Sequence, residues 1–132
     1  MANTPTISNT DGAVKLVRDD HRHILALFQL YRAASADSRQ SYVDQILQRL
    51  ADHFKMEERL TEDVRHQGDD GRLLVEQLLV EHEEIKAMID ELQQAENDDD
   101  ELLDEFFEDM MQTVRAHFIA EERDLFPLLN KR

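Results

Sequence analysis

Apolar residues recur along this chain at alternating steps of three and four, the spacing that lines one face of a helix. Four segments carry the pattern. The first runs from about Asp11 to Ala36 and sets Val14, Val17, Ile24, Phe28 and Tyr31 in one row. The second, ending near Arg65, aligns Val43, Ile46, Leu50, Leu60 and Val64. The third, from about Arg72 to Ala95, aligns Val75, Leu78, Ile85, Ile89 and Leu92. The fourth begins near Glu101, aligns Leu103, Phe107, Met110, Val114, Leu125 and Leu128, and closes at "FPLLNKR". The separators "SADS", "HQGDDG" and "ENDDD" are short and polar. Asp37 and Gln40 are spaced as a capping box, and the acidic start of the fourth segment suits the positive end of a helix dipole. Segments of about 24–30 residues make helices of roughly 36–45 Å. Long amphipathic helices joined by short turns pack antiparallel, so the pattern predicts an all-α, up-down-up-down antiparallel four-helix bundle. It divides the chain into a polar tail over 1–11 and one domain over 12–132.

Six positions in these rows are not apolar: His21, His53, Glu57, His82, His117 and Glu121. Each helix supplies one His, and each Glu follows a His by four residues, close to one full turn, so the pair shares a face. The heights agree as well. Antiparallel helices bring two residues level when the turn lies midway between them, and the midpoint of each successive His pair falls inside a separator. Four imidazoles and two carboxylates are therefore expected in one layer of the core. Two carboxylates buried without counter-charge would cost several kcal/mol each, and no Lys or Arg lies on the seam at that level. Metal ions supply the missing charge, and imidazole with carboxylate suits iron, manganese or zinc. From opposite helices Glu57 and Glu121 reach between two ions and bridge them. Six protein ligands leave two octahedral ions unsaturated, with open positions for an oxo or hydroxo bridge and for a small exogenous molecule.

Composition narrows the partners. The net charge of −15 disfavours nucleic acid, since phosphate binding needs a basic surface, and disfavours an anionic membrane surface. With no Cys, disulfides, iron–sulfur clusters and thiolate-bound zinc are excluded. "MANTPTISNT" lacks the basic and apolar stretches of a secretory signal, and no apolar run is long enough to span a membrane. A soluble, cytoplasmic protein is the expectation.

The two halves are copies of each other. "DDHRHIL" around His21 corresponds to "VEHEEIK" around His82, and "HFKMEER" to "HFIAEER". A helical hairpin used twice about a pseudo-twofold axis produces a two-metal centre. Together "DHRHILALFQLY", "HFKMEER", "EHEEI" and "HFIAEERDLFPLL" resemble the hemerythrin-like, or HHE cation-binding, domain over about residues 12–130. The resemblance implies a non-haem di-iron centre with two Fe ions, held by His21, His53, Glu57, His82, His117 and Glu121. It implies a role in binding dioxygen, in sensing oxygen or iron, or in handling nitric oxide or peroxide. Two departures accompany it. Oxygen-carrying hemerythrins have a second His one turn away on the third helix, where this chain has Leu78 and Lys86. Their last helix spaces an Asp five residues after the His. Here Glu121 lies four after His117 and Glu122 five, and Glu121 is preferred because it falls on the seam and copies Glu57. One fewer His opens the coordination sphere and favours redox reactivity or sensing over reversible oxygen carriage.

Other polar residues read as bystanders. His23 lies about 200° around the helix from His21, and His66 sits in a turn. Glu58, Glu81, Glu83, Glu84 and Glu122 read as solvated faces, with Glu58 and Glu122 as reserve ligands. The Asp run at 98–100 lacks the twelve-residue calcium-loop pattern. Phe28, Leu50, Phe54, Leu78, Ile85, Val114 and Phe118 are core, some of them lining a dry pocket beside the metals. Three functions stand at this point: a di-iron protein binding O2, NO or a related small molecule, a di-iron enzyme removing peroxide or another reactive species, and a four-helix scaffold around a structural metal such as zinc. The residues leave open whether the protein is an enzyme.

Overall fold

The computed structural model describes residues 9–94 and 100–129. Most of the expected polar tail lies outside them. The described residues form helices and short connections, with no strand among them. In chain order the helices are α1 (Asn9–Ala33), α2 (Ala36–Leu60), α3 (Glu62–Arg65), α4 (Asp69–Gln94), α5 (Asp100–Asp124) and α6 (Phe126–Leu129).

There are thus six helices where periodicity alone suggests four, because two of the long segments break near their ends. The break before α6 follows from Pro127. A proline has no N–H to donate and its ring collides with the carbonyl four residues back. Leu125 still closes onto the Glu121 carbonyl at 2.7 Å, and Leu128 and Leu129 then both turn back to Leu125. At the end of α2, Thr61 folds its hydroxyl onto the Glu58 carbonyl at 3.3 Å, a bond that competes with the helical ladder. Both breaks fall within four residues of a seam Glu.

The capping box is not formed. Helix α2 begins at Ala36 with Ser35 as its cap, and no side chain bonds the free amides there. Asp37 therefore lies inside the first turn, and Gln40 donates to Asp44 four residues on at 2.9 Å. This end of the molecule is tied across helices instead. Tyr31 of α1 donates its hydroxyl to Asp104 of α5 at 2.6 Å. Arg39 of α2 donates to both oxygens of the same carboxylate at 3.0 and 2.9 Å.

The core divides into two apolar clusters. The larger includes Ile24, Phe28, Tyr31, Val43, Ile46, Leu50, Ile85, Ile89, Phe107, Met110 and Val114. The smaller includes Val14, Val17, Val64, Val75, Leu78, Leu125, Phe126 and Leu129. Apart from Phe54 and Phe118, which directly follow their His, the larger cluster comes after the seam His in α1 and α4 and before it in α2 and α5. The seam His residues lie near the division between the two clusters, leaving one polar layer within an apolar interior.

The α3–α4 connection depends on two glycines. Gly68 has φ 112°, where a Cβ is strained. Gly71 packs so closely on α3 that an added methyl group would run into the Val64 carbonyl oxygen. Because that obstacle is backbone, Gly71→Ala is expected to destabilise the protein by about 1–3 kcal/mol, measurable as a lower urea midpoint with an unchanged slope.

Candidate metal centre

His21, His53, Glu57, His82, His117 and Glu121 are all buried, and they converge in the polar layer. The rings of His21 and His53 lie 4.9 Å apart, as do those of His82 and His117. Between them sit the two carboxylates. Glu57 Oε1 lies 3.0 Å from His53 Nε2 and 3.3 Å from His82 Nε2. Glu121 Oε1 lies 3.3 Å from His21 Nε2 and 3.2 Å from His117 Nε2. Each carboxylate thus faces one imidazole from its own helix and one from another, and Glu57 Oε2 also lies 3.8 Å from His21 Nε2.

These atoms lie within ion-pair distance without meeting hydrogen-bond geometry. All four His Nε2 atoms and all four oxygens of Glu57 and Glu121 are buried with no hydrogen-bond partner. Leaving so many buried polar atoms unsatisfied is costly, unless their lone pairs serve another acceptor. Grouping donor atoms within 4.8 Å of one another gives two sets: His21, His53, Glu57 and Glu121, and Glu57, His82, His117 and Glu121. Both carboxylates belong to both sets. An imidazole–carboxylate donor set of this kind fits divalent or trivalent transition metals, and the unpaired lone pairs are what such ions would occupy.

Residues 12–129 match the hemerythrin HHE cation binding domain. The chain belongs to this family. No curated protein and no solved structure shows a significant match to it. In this hemerythrin-like domain the cation-binding capacity of the family has a physical counterpart: eight buried donor atoms gathered in two overlapping groups that could each hold a metal ion.

The outer face of each imidazole is also held. Through Nδ1, His21 pairs with Glu122 at 3.0 Å, His53 with Asp20 at 2.6 Å, His82 with Glu58 at 3.3 Å and His117 with Glu81 at 3.1 Å. Three of these acids were expected to be solvated faces, with Glu58 and Glu122 in reserve as ligands. They are instead hydrogen-bond partners of the imidazoles. Asp20 carries no seam signal at all. A usable signal does exist, for each of the four is the immediate sequence neighbour of a seam His or Glu. One residue is a 100° rotation, enough to swing the acid from the core toward the adjacent helix.

Aromatic rings complete the enclosure. Phe118 stacks on His21 with centroids 3.8 Å apart, and Phe54 stacks on His82 at 4.3 Å. Phe126 adds a second, more distant ring beside His21 at 6.2 Å. His23 is exposed and contacts Arg49 on α2. His66 is exposed in the turn after α3 and faces Glu62. Neither approaches the layer. Leu78 is buried in the smaller cluster, and Lys86 pairs with Glu58 at 3.1 Å, so neither position one turn from His82 offers a ligand.

Without a cation, the layer redistributes protons. Burial pushes Glu57 upward, but the contacts from Glu121, His21, His53 and His82 outweigh it and hold the group well below the usual carboxylate range. Burial and then the Glu57 charge push Glu121 well above that range. Glu57 is thereby the charged member of the pair and Glu121 the protonated one. Burial disfavours a charged His53, yet Asp20 and then Glu57 raise it to about 9. His117 is lowered, chiefly by burial.

Proposed function

We propose that this chain is a cytoplasmic, non-haem di-iron protein that binds dioxygen or a related small molecule such as NO or peroxide. The reading places two Fe ions within an up-down-up-down antiparallel four-helix bundle. Residues 12–132 form that domain, and residues 1–11 form a polar tail. His21 and His53 would hold one ion and His82 and His117 the other, with Glu57 and Glu121 shared between them. One observation carries the proposal: two four-residue donor sets share both carboxylates. A zinc scaffold has no need of a second, overlapping set, and a purely structural polar layer would pair its own atoms rather than leave every Nε2 bare.

Bound iron would supply the redox chemistry. The protein's part is to limit that chemistry to small reactants. Six side chains provide the donors, fewer than two octahedral ions accept. The stacked faces of Phe54 and Phe118, and the apolar clusters on either side, exclude bulk water from the layer. An apolar, enclosed site admits O2 or NO more readily than a large polar substrate.

Elemental analysis of protein purified without added iron tests the proposal, together with optical spectra in air and after reduction. Two Fe per chain, with near-ultraviolet absorption in air that is lost on reduction, is the expected result. A colourless protein containing one zinc would refute it. Sustained catalytic loss of added peroxide would move the reading to an enzyme at the same site.

A further inference from the structure

We infer that Asp20, Glu58, Glu81 and Glu122 are positioning residues forming a closed outer ring, which orients all four imidazoles toward the two metals. The inference rests on the metal reading of the inner layer and concerns residues that lie outside it.

The ring follows from the order of the contacts. Helix α1 gives Asp20 to His53 of α2, and α2 gives Glu58 to His82 of α4. Helix α4 gives Glu81 to His117 of α5, and α5 gives Glu122 to His21 of α1. Each long helix donates one acid to the next and receives one from the helix before it, and the circuit closes. Since each acid adjoins an inner residue in sequence, rotation of any helix that spoiled an inner ligand would also break an outer bond.

Chemically the ring fixes a tautomer. A neutral imidazole carries its proton on one nitrogen and its lone pair on the other. A carboxylate at Nδ1 holds the proton there, so the lone pair falls on Nε2, the atom that faces Glu57 or Glu121 in every case. A carboxylate partner also raises the basicity of the nitrogen that binds the metal. Two of the acids are anchored from outside by cations. Arg49 stands 3.4 Å from Asp20, and Lys86 stands 3.1 Å from Glu58. Each donor set holds one such anchored pair, His53–Asp20 in one and His82–Glu58 in the other. Lys86 thus acts on the centre through Glu58, from the helix position where a further ligand would be a His.

The repeated word His-Phe-x-x-Glu-Glu acquires a division of labour. Its His serves its own donor set and its first Glu serves both sets. Its Phe and second Glu grip an imidazole of the other set: Phe54 and Glu58 hold His82, while Phe118 and Glu122 hold His21. Neither half of the molecule completes a site alone.

The test titrates metal-free protein with Zn2+ against a chromophoric chelator, for wild type and for Asp20→Asn, Glu58→Gln, Glu81→Gln and Glu122→Gln. The four acids are partly exposed, and each amide is nearly isosteric, so helicity by circular dichroism should be retained. Affinity is expected to fall about 10–100-fold in each variant. In 15N spectra of the zinc-loaded protein, the matching imidazole alone should lose its slowly exchanging Nδ1–H signal. Glu84→Gln removes the same charge from an exposed position on α4 and should leave both readings unchanged. Affinities within twofold of wild type, or an equal loss at Glu84→Gln, would overturn the ring. Wild-type protein that takes up no Zn2+ would sink the metal reading and the ring with it, whereas normal wild-type uptake with unaltered variants sinks the ring alone.

Discussion

Glu57→Ala protein is expected to retain neither metal ion after purification, whereas His53→Ala should retain about one of two. The asymmetry follows from membership of the two donor sets. Glu57 belongs to both, and His53 to only one, so loss of the imidazole leaves Glu57, His82, His117 and Glu121 together. Removing a shared carboxylate withdraws one donor and one negative charge from each ion at once. Truncating one partner of a buried charged contact commonly costs about 3–5 kcal/mol, which corresponds to a loss of roughly 100- to 4,000-fold in affinity. The metal-free fold should survive. The charge of Glu57 raises the cost of ionising Glu121, and deleting Glu57 relieves that conflict while opening a small cavity. Metal content by elemental analysis, with helicity as a control, decides the matter. His66→Ala, a change at an exposed turn residue facing only Glu62, should keep both ions. Equal metal content in Glu57→Ala, His53→Ala and His66→Ala would refute the assignment of ligands.

How much of this was visible beforehand depends on the kind of physics involved. Burial writes a periodic signature, so the seam residues and the six polar exceptions were readable from spacing alone, and all six lie in the layer. Height along antiparallel helices is also arithmetic, which is why four residues from different helices were expected to meet. The outer acids write no such signature. Asp20, Glu58, Glu81 and Glu122 lie beside the seam and stay partly exposed, and in so acidic a chain a solvated Glu and a Glu aimed at a neighbouring imidazole look alike. Only the crossing of helices separates Glu81, which meets His117, from Glu84, which is exposed. Local chemistry overrode pattern at the helix ends. Asp37 and Gln40 have capping-box spacing, but Ser35 precedes the helix and Asp37 lies within it. The apolar row runs on through Leu125 and Leu128, but Pro127 breaks the ladder that would have kept them in one helix. The Thr61 break has a weaker cause, a hydroxyl bonded back to Glu58, and periodicity does not register it.

Metal-free protein should lose stability as pH rises from about 6.5 to 9, and the metal-loaded protein should not follow it. His53 is the reason for the first half. Its ordinary value of 6.5 is raised to about 9 in the folded chain, so across that interval the folded state holds a proton that the unfolded state has released. Stability then falls as pH rises, because the unfolded form binds fewer protons. The contribution is complete below about 6.5 and gone above about 9, and a passage of that width is worth on the order of 3 kcal/mol. Glu121, also raised, acts in the same direction from lower pH. His117 is lowered, so the stability it regains with rising pH is complete by about its ordinary value of 6.5, below this window. Glu57 and Asp20 are lowered, so their contributions are lost only in acid, outside this window. For a domain whose whole stability is about 5–15 kcal/mol, the net change is expected to lower the melting temperature of chelator-stripped protein by roughly 10 °C. With metal bound the sign reverses, because the ion and the proton compete for Nε2. Raising the pH removes the competitor, so the gap between loaded and stripped melting curves should widen from pH 6.5 to 9, and uptake at neutral pH should release protons to a weak buffer. Asp20→Asn should flatten the stripped curve by withdrawing the first of the two carboxylates that keep His53 charged. Stripped protein whose melting temperature stays level or rises across this range would show that His53 carries no proton there, and that the charge of Glu57 stands unbalanced before any cation enters the layer.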